Sequence, residues 1–221
     1  MKDPLIIVVG HFGSGKSEFA VNLALKLAKE QSVCLADLDI INTYFRSREI
    51  REILIQEQIE VLSDTFNSIK GLDMPYLSPA IKGRIVKRDK LVILDCGGDT
   101  NGIKVLKQYY DDIVDQPYEM WMVINVFRPE TSNAKQIFKM MQALKSESGL
   151  EVTGFINNSN YLKSTTIEDM KASNLIMKEV VALTNIKVVY TSGVESLMQQ
   201  LPIDILGEKF PLKILLREKW L

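Results

Sequence analysis

The sequence has few cysteine and histidine residues, which stabilise many small folds through disulfides or a bound metal. It has two cysteines among 221 residues, Cys34 and Cys96, and each lies inside an apolar run, so we interpret them as buried, reduced thiols. The one histidine, His11, leaves no Cys/His cluster with metal-ligand spacing. No apolar run approaches the roughly 18 residues of a membrane-spanning helix, and the apolar stretch near the start is too short for a signal peptide. These absences favour a cytoplasmic protein.

An excess of charge of one sign is absent as well. The 27 Lys and Arg residues and 28 Asp and Glu residues give a formal net charge of −1. A general nucleic-acid binder normally carries a basic excess, so the balance argues against a nucleic-acid partner, although a local basic patch is compatible with it. With 46% hydrophobic residues and no repeat or low-complexity linker, the chain has the composition of a globular protein. We expect one domain over residues 1–221.

Apolar runs rich in β-branched residues alternate with amphipathic segments along most of the chain. Six runs, several of them apolar on both faces as in parallel sheets, predict strands. They lie at 5–9, 33–36, 91–95, 120–126, 152–156 and 187–190. Helical periodicity predicts a first helix after residue 17 and further helices at about 46–57, 130–146 and 166–184. The irregular stretch 63–90 predicts either a short helix near 78–86 or a loop over a site. The alternation predicts an α/β fold, a parallel twisted sheet with helices on both faces.

A glycine-rich segment with the pattern G-x-x-x-x-G-K-[ST] follows the first predicted strand and opens the first predicted helix. It comprises Gly10, His11, Phe12, Gly13, Ser14, Gly15, Lys16 and Ser17. Its glycines let the backbone curl so that successive N–H groups and the helix N-terminus face phosphate oxygens. We expect Lys16 to bridge the β- and γ-phosphates and the Ser17 hydroxyl to bind Mg²⁺. The alternative is a chance glycine turn, but the strand before it and the helix after it favour a nucleotide-binding P-loop.

Residues 13–42 resemble the phosphate loop, first helix and second strand of the MinD/ParA group of P-loop ATPases, the CobQ/CobB/MinD/ParA type of nucleotide-binding domain in the SIMIBI class. Residues 22–24 match the family's NLA element, and Asp37 and Asp39 match its acidic D-x-D strand end. The segments GHFGSGK and YFRSRE resemble one subgroup of these proteins. The resemblance implies a P-loop NTPase fold with ATP and Mg²⁺ as cofactors. It also implies catalytic roles for Lys16 and Asp39.

The resemblance further assigns roles at the carboxyl ends of strands, where parallel α/β sheets bind ligands. It implies that Asp39, in preference to Asp37, positions the attacking water and belongs to the metal shell; the alternative is a capping role at a polar strand end. Asp95 ends the apolar run LVILD and resembles a Walker B carboxylate, which holds Mg²⁺ directly or through water. Gly98 completes a D-x-x-G pattern whose glycine N–H can sense the γ-phosphate, so its loop is a candidate switch. We interpret Asp99 as a helix cap.

His11 departs from the family pattern. Many MinD/ParA-type proteins have at this place a lysine that reaches across a dimer interface to the partner's phosphates. A neutral imidazole does not carry the permanent positive charge of a lysine ammonium group. A homodimer that encloses nucleotide between its two chains would therefore lack the lysine–phosphate contact typical of the family. The alternative is that His11 packs or hydrogen-bonds within its own loop. Both a monomer and a homodimer therefore stay open.

The run of polar residues at 157–160 bears on the choice of base. GTPases of related folds place an aspartate where this chain has Asn160, and that aspartate accepts two hydrogen bonds from guanine. An amide offers one acceptor oxygen and two donors, so Asn160 cannot match guanine in the same way. Asn157 is expected to read the adenine edge as the matching asparagine does in relatives, with a strand-end turn as the alternative. The pattern favours ATP over GTP.

Two further groups of basic residues suggest a ligand or a partner. Arg46, Arg48 and Arg128 are expected either to hold an anionic ligand or to lie on the surface. The C-terminal segment 208–221 mixes lysine and arginine with apolar residues, as membrane-binding tails of MinD-like proteins do, but Pro211 interrupts it. We expect a docked final helix there rather than a membrane anchor.

These features predict a Mg-dependent ATPase that drives a conformational or partner-binding switch, with an unknown protein partner or small molecule. One alternative is a small-molecule kinase whose acceptor pocket uses Arg46, Arg48 and the 63–90 segment. Another is a nucleotide-dependent binding module that does not hydrolyse ATP.

Overall fold

Strands and helices alternate along the chain in the computed structural model, which describes residues 5–38, 51–63, 79–98 and 100–216. The strands are β1 (Leu5–Val9), β2 (Val33–Asp37), β3 (Glu60–Ser63), β4 (Leu91–Asp95), β5 (Tyr118–Ile124), β6 (Gly154–Asn157), β7 (Val188–Val194) and β8 (Glu208–Leu212). The helices are α1 (Lys16–Leu27), α2 (Arg51–Gln56), α3 (Pro79–Lys87), α4 (Thr100–Lys107), α5 (Tyr110–Ile113), α6 (Ala134–Ser148), α7 (Ile167–Thr184) and α8 (Glu195–Gln200). Short 3₁₀ turns occur at Pro129–Thr131 and Leu162–Ser164.

The eight strands form one sheet in the order β3-β2-β4-β1-β5-β6-β7-β8, and every pair of neighbours is parallel. The chain moves from β1 toward one edge, returns to β4 beside β1, and then continues from β5 toward the other edge. The strand order therefore reverses at β1. In open parallel sheets, ligands bind at the carboxyl ends of the strands where such a reversal occurs, so the loop after β1 lies at the expected place for a site.

Helices cover both faces of this sheet, as predicted. Along β1, Ile6 and Val8 pack into one apolar cluster and Leu5, Ile7 and Val9 into the other, because successive side chains of a strand point to opposite faces. The first cluster contains the buried side of α1, and the second contains the buried sides of α3, α4, α6 and α7. Each fully buried aliphatic side chain contributes about 1.5–3 kcal/mol relative to exposure, so the two-sided burial of β1 fixes the strand in the centre of the core.

The β3 edge of the sheet is anchored by a charged cluster. Glu60 accepts hydrogen bonds from Arg84 Nε and Nη2 at 3.1 and 2.9 Å, and Lys90 Nζ lies 3.1 Å from its other oxygen. Partial burial pushes the pKa of Glu60 upward, but hydrogen bonds from Arg84 and Lys90 outweigh it and hold that pKa below its usual value. The neighbouring Cys34 is fully buried, and burial raises the pKa of its thiol to about 12. Both cysteines are buried, as expected, and neither forms a disulfide.

Several elements differ from the sequence-based prediction. The final helix expected in 208–221 is wrong for residues 208–216: residues 208–212 form β8 and residues 213–216 are not helical. Strand β8 is at the edge of the sheet, a position that tolerates Pro211, which has no N–H to donate. Strand β3 was not predicted, and β5 begins two residues earlier than expected. Helix α3 matches the short helix expected near 78–86, whereas residues 64–78 lie outside the described residues.

Among the described residues, no helix combines the length and the apolar character needed to cross a membrane.

Candidate functional site

The glycine-rich loop leaves β1 at the reversal point of the sheet and leads directly into α1. Gly13 and Gly15 adopt φ of 75° and 86°, a left-handed conformation that residues with a Cβ rarely adopt. The turn is closed by hydrogen bonds from Ser14 N to the His11 carbonyl at 3.1 Å and from Phe19 N to the Gly15 carbonyl at 2.9 Å. Helix α1 has Gly15 at its N-cap, with no side-chain capping bond among the described residues. The N–H groups of its first turn therefore point into the loop.

Lys16 folds back over the loop that carries it. Its side chain is 6% exposed, and its Nζ donates to the His11 carbonyl at 3.4 Å. Gly98, three residues beyond the end of β4, lies close to Lys16 Nζ and to the main chain of Phe12. A Cβ added to Gly98 would lie 2.8 Å from Lys16 Nζ and 2.8 Å from Phe12 N. The structure thus brings together the loop lysine and the D-x-x-G glycine, two residues that are 82 positions apart in the sequence.

The carboxylates expected at the strand ends lie beside this loop. Asp95 is 1% exposed and pairs in register with Val8 of β1 and Asp37 of β2. The next residue continues this contact, since Cys96 N donates to the Val8 carbonyl at 3.0 Å. Ser17 lies partly exposed in the first turn of α1. Asp39, the expected water-positioning carboxylate, lies outside the described residues, as do Asp99, Arg46 and Arg48.

A metal at this edge would depend on oxygen ligands. Within the described ranges, no group of three or more His, Cys, Asp or Glu side chains is arranged to hold a metal ion. Mg²⁺ usually keeps several waters and binds through one or two protein oxygens together with phosphate oxygens, so it does not need such a group. Ser17, Asp95 and Asp39 are the oxygen-bearing residues that the sequence predicts for this purpose, and Asp39 lies outside the described residues.

The outer side of the loop is braced by two side chains from the ends of β5 and β6. Arg128 Nε donates to the Gly13 carbonyl at 3.3 Å, and Asn158 Nδ2 donates to the Ser14 carbonyl at 2.7 Å. Asn158 is 3% exposed, and its oxygen accepts from Ser192 Oγ of β7 at 2.8 Å. These two bonds fix the carbonyls of Gly13 and Ser14, and a curled loop held in this way suits an anion bound by its main-chain N–H groups.

Sequence reasoning missed Asn158. The amide lies in a run of four polar residues, and only the packing of β6 against the loop shows which of them contacts it. Arg128 was expected to face either a ligand or solvent; it is exposed and contacts the loop.

The side-chain amides of Asn157 and Asn160, expected to discriminate adenine from guanine, form hydrogen bonds with other residues of the chain. Asn157 is fully buried; its Nδ2 donates to Ser173 Oγ at 3.0 Å and its oxygen accepts from Ser159 Oγ at 2.7 Å. Asn160 Nδ2 donates to the Asn158 carbonyl at 2.7 Å, and its Oδ1 accepts from Leu162 N at 3.2 Å. The structure does not bring the Asn157 amide to the surface of the site, and base reading by this residue stays a prediction.

His11 makes contacts close to its own loop. Its Nδ1 lies 2.9 Å from the Phe12 carbonyl, which only accepts, so this nitrogen carries the proton in that bond. The same nitrogen lies 3.7 Å from Glu130 Oε2. The adjoining Phe12 side chain is 60% exposed at the tip of the loop. These contacts correspond to the alternative in which His11 hydrogen-bonds locally.

A cleft of about 610 Å³, open to solvent, begins at the loop and continues past the ends of β6 and β7. Five parts of the chain form its walls: the loop with α1, residues 158–165, Met170 of α7, the β7–α8 junction, and the end of β8 with the segment after it. The lining residues are Gly13, Gly15, Glu18, Asn158, Ser159, Asn160, Leu162, Thr165, Met170, Gly193, Val194, Leu197, Leu212 and Ile214.

Comparisons with known proteins agree with this geometry. The family profile described as "CobQ/CobB/MinD/ParA nucleotide binding domain" matches residues 5–172. A search of curated proteins found no match. Among solved structures, the chain is similar to the cell division protein FtsY from Thermotoga maritima, at 21% identity and a TM-score of 0.58 over 93% of this chain and 65% of that one.

Two other FtsY structures give the same result. Chloroplast FtsY from Physcomitrella patens has 18% identity and a TM-score of 0.59 over 94% of this chain and 62% of that one. FtsY from Mycoplasma mycoides has 19% identity and a TM-score of 0.57 over 85% and 59%. The chain spans less than two thirds of the length of each of these three proteins. At such identities the likeness shows a shared fold.

Proposed function

The chain belongs to the CobQ/CobB/MinD/ParA nucleotide-binding domain family, and from this premise we propose that it is a magnesium-dependent ATPase whose cycle drives a conformational or partner-binding switch. The observation that carries the proposal is the loop around Lys16, which combines two left-handed glycines, an uncapped helix N-terminus and a folded-back lysine. Such a cradle suits a polyphosphate because main-chain N–H groups and an ammonium group converge on one anionic ligand.

One buried atom in the loop also fits a phosphate. Ser14 Oγ is buried and has no hydrogen-bond partner among the described residues. A buried hydroxyl without a partner costs about 1–3 kcal/mol, so a phosphate oxygen bound in the loop would relieve this cost. Ser17 and Asp95, with Asp39, are the residues that would hold Mg²⁺, directly or through water. The metal would supply positive charge that neutralises the phosphate oxygens during transfer.

The chain's own residues would bind the phosphates, orient the loop and position the attacking water. Lys16 holds the terminal phosphates, and the braced carbonyls of Gly13 and Ser14 keep the N–H groups of the loop oriented toward them. Asp39 positions the attacking water, as the family resemblance implies. The Gly98 backbone lies close to Lys16 and Phe12, so its N–H is placed to sense the terminal phosphate held by the loop, and loss of that phosphate would remove a contact on the Gly98 segment.

The cleft supports ATP over GTP. Guanine presents two neighbouring donors, N1–H and N2–H, which a carboxylate would accept. Among the residues that line the cleft, Glu18 is the only acidic one, and its carboxylate already accepts main-chain N–H groups of Leu215 and Leu216. Adenine needs one acceptor for N6–H and one donor for N1, which main-chain groups of the cleft can provide.

Phosphate release from Mg-ATP and Mg-GTP tests the proposal directly. Wild type is expected to release phosphate from ATP, and Lys16→Ala and Asp39→Ala are expected to do so at least about a hundredfold more slowly. Lys29→Ala, an exposed lysine just beyond the other end of α1, is the matched control and keeps wild-type turnover. Equal activity in all four proteins would remove the assignment.

The same experiment separates the alternatives. Tight ATP binding without release favours a non-hydrolysing binding module, and release only after a metabolite is added favours a small-molecule kinase. The acceptor residues expected for a kinase, Arg46 and Arg48, lie outside the described residues. Molecular mass in solution with and without a non-hydrolysable ATP analogue tests whether the switch works by homodimer formation.

A further inference from the structure

The segment that follows β8 lies against α1. We name residues 213–216 the C-terminal strap. Its first residue is held by Asn22, whose Oδ1 accepts from Lys213 N at 2.8 Å and whose Nδ2 donates to the Lys213 carbonyl at 2.9 Å. The Asn22 amide therefore pairs with one residue of the strap as a neighbouring strand would, and it is largely buried.

Glu18 holds the other end of the strap one helical turn earlier on α1. Its Oε1 accepts from Leu215 N at 2.6 Å, and its two oxygens lie 3.3 and 3.2 Å from Leu216 N. A carboxylate that accepts from successive N–H groups makes charge-assisted hydrogen bonds, which are stronger than bonds between neutral groups. The Leu216 side chain is buried in the apolar cluster that includes Phe19 of α1. The strap is thus fixed to α1 by polar contacts and by packing.

One residue of the strap, Ile214, lines the cleft. Leu212, the last residue of β8, lines the cleft next to Ile214, and residues 158–165, Glu18 and Gly15 provide other parts of the lining. The same cleft ends at the loop where the phosphates are proposed to lie. A nucleotide whose phosphates occupy the loop would extend its flat, apolar base between these walls, where aliphatic side chains can pack against a base plane.

We propose that the C-terminal strap is the base-side wall of the nucleotide cleft, and that Glu18 and Asn22 couple its docking to nucleotide binding. This inference rests on the proposed function. The helix that begins at Lys16 carries both Glu18 and Asn22, so one rigid element positions the phosphate loop and the strap. Binding linkage is reciprocal: if the docked strap strengthens nucleotide binding, bound nucleotide stabilises the docked strap by the same factor.

Two variants remove the contacts that dock the strap. In Glu18→Gln, the amide keeps one acceptor oxygen but turns a donor toward a main-chain N–H. In Asn22→Ala, both bonds to Lys213 are lost. Lys26→Ala is the matched control, because Lys26 lies on the same helix and its Nζ donates to Glu208 of β8 at 2.7 Å, a residue outside the strap. Thermal unfolding of each variant checks that it is folded.

Affinity for two ligands, Mg-ATP and inorganic tripolyphosphate with Mg²⁺, provides the test. The proposal places the strap beside the base, which tripolyphosphate lacks, so Glu18→Gln and Asn22→Ala are expected to raise the Kd for ATP about five- to tenfold and to change the Kd for tripolyphosphate by less than about twofold. Lys26→Ala leaves both values unchanged. In wild type, ATP slows amide exchange at Leu215 and Leu216 by about the same factor as the variants weaken ATP, and tripolyphosphate does not.

Each contrary outcome has a distinct meaning. If wild type binds both ligands and the two variants bind ATP as wild type does, the strap is not part of the site. Equal weakening toward ATP and tripolyphosphate also overturns the inference, because the contacts would then support α1 and not the base wall. Wild type that binds neither ligand overturns the proposed function and the inference together.

Discussion

Replacing Gly98 with alanine tests whether the close approach of the segment after β4 to the phosphate loop is needed for nucleotide binding. The added Cβ would lie 2.8 Å from Phe12 N and 2.8 Å from Lys16 Nζ, whereas ordinary contacts begin at 3.4 Å. The loop would have to retreat by about 0.6 Å, and Phe12 N belongs to the backbone, which cannot rotate away as a side chain can. Overpacking of this kind costs about 1–3 kcal/mol, which corresponds to a loss of roughly 5- to 150-fold in an equilibrium constant.

The loss is expected in nucleotide affinity and in turnover, because displacement of the loop moves the N–H groups that hold the phosphates. Gly83→Ala is the matched control: nothing lies within 4 Å of an added Cβ there, and the residue is inside α3. It should leave the Kd for Mg-ATP unchanged and raise the free energy of unfolding by about 0.5–1 kcal/mol. Calorimetric titration and phosphate release measure both variants. Wild-type affinity and turnover in Gly98→Ala would refute the reasoning.

Three further predictions concern the loop brace, the β3 edge and the buried thiols. Asn158→Asp turns an acceptor toward the Ser14 carbonyl and adds negative charge beside the phosphates, so the Kd for Mg-ATP should rise at least about tenfold; an unchanged Kd would contradict the brace. Because the folded-state pKa of Glu60 is lowered, its stabilisation is present above its ordinary pKa of 4.5 and is lost as pH falls through the folded value. Glu60→Gln should therefore be less stable than wild type at pH 7, by about 1 kcal/mol or less, and the difference should shrink in urea titrations below pH 4.5; a constant difference would contradict this. With a pKa of about 12, Cys34 is ionised in roughly one molecule in 10⁴ at pH 8, so a thiol reagent should label it only after unfolding in guanidinium, and fast labelling of the native protein would contradict its burial.

Much of the central fold could be predicted because parallel strands buried on both faces leave long apolar runs in the sequence. The bounds of β1 and β4 match the runs at 5–9 and 91–95, and the P-loop pattern lies between the first strand and the first helix as expected. The fold class and the family are confirmed. Gly98, the glycine of the D-x-x-G pattern, lies close to Lys16 because β4 and β1 are neighbours in the sheet. The strand order brings these residues together, and their spacing in the sequence does not predict it.

Edge elements were harder to predict because neighbours decide their structure. In β8, Phe210 and Leu212 are buried and alternate with Lys209 and Pro211, which is the period of a strand, but the mixed composition of the longer segment suggested a helix. Glu18 and Asn22, which hold the strap, have in the sequence the pattern of the polar side of an amphipathic helix. Their role depends on a segment almost 200 residues later in the chain, with separations of 191 and 197 residues in the hydrogen-bonded pairs.

The claim that the loop around Lys16 binds the phosphates of a nucleoside triphosphate underlies the rest. Isothermal titration of wild type and Lys16→Ala with Mg-ATP tests it most directly. We expect one ATP to bind per wild-type chain, and the affinity of Lys16→Ala to be weaker by at least about a hundredfold. No binding by wild type, or the same affinity in both proteins, would contradict the claim.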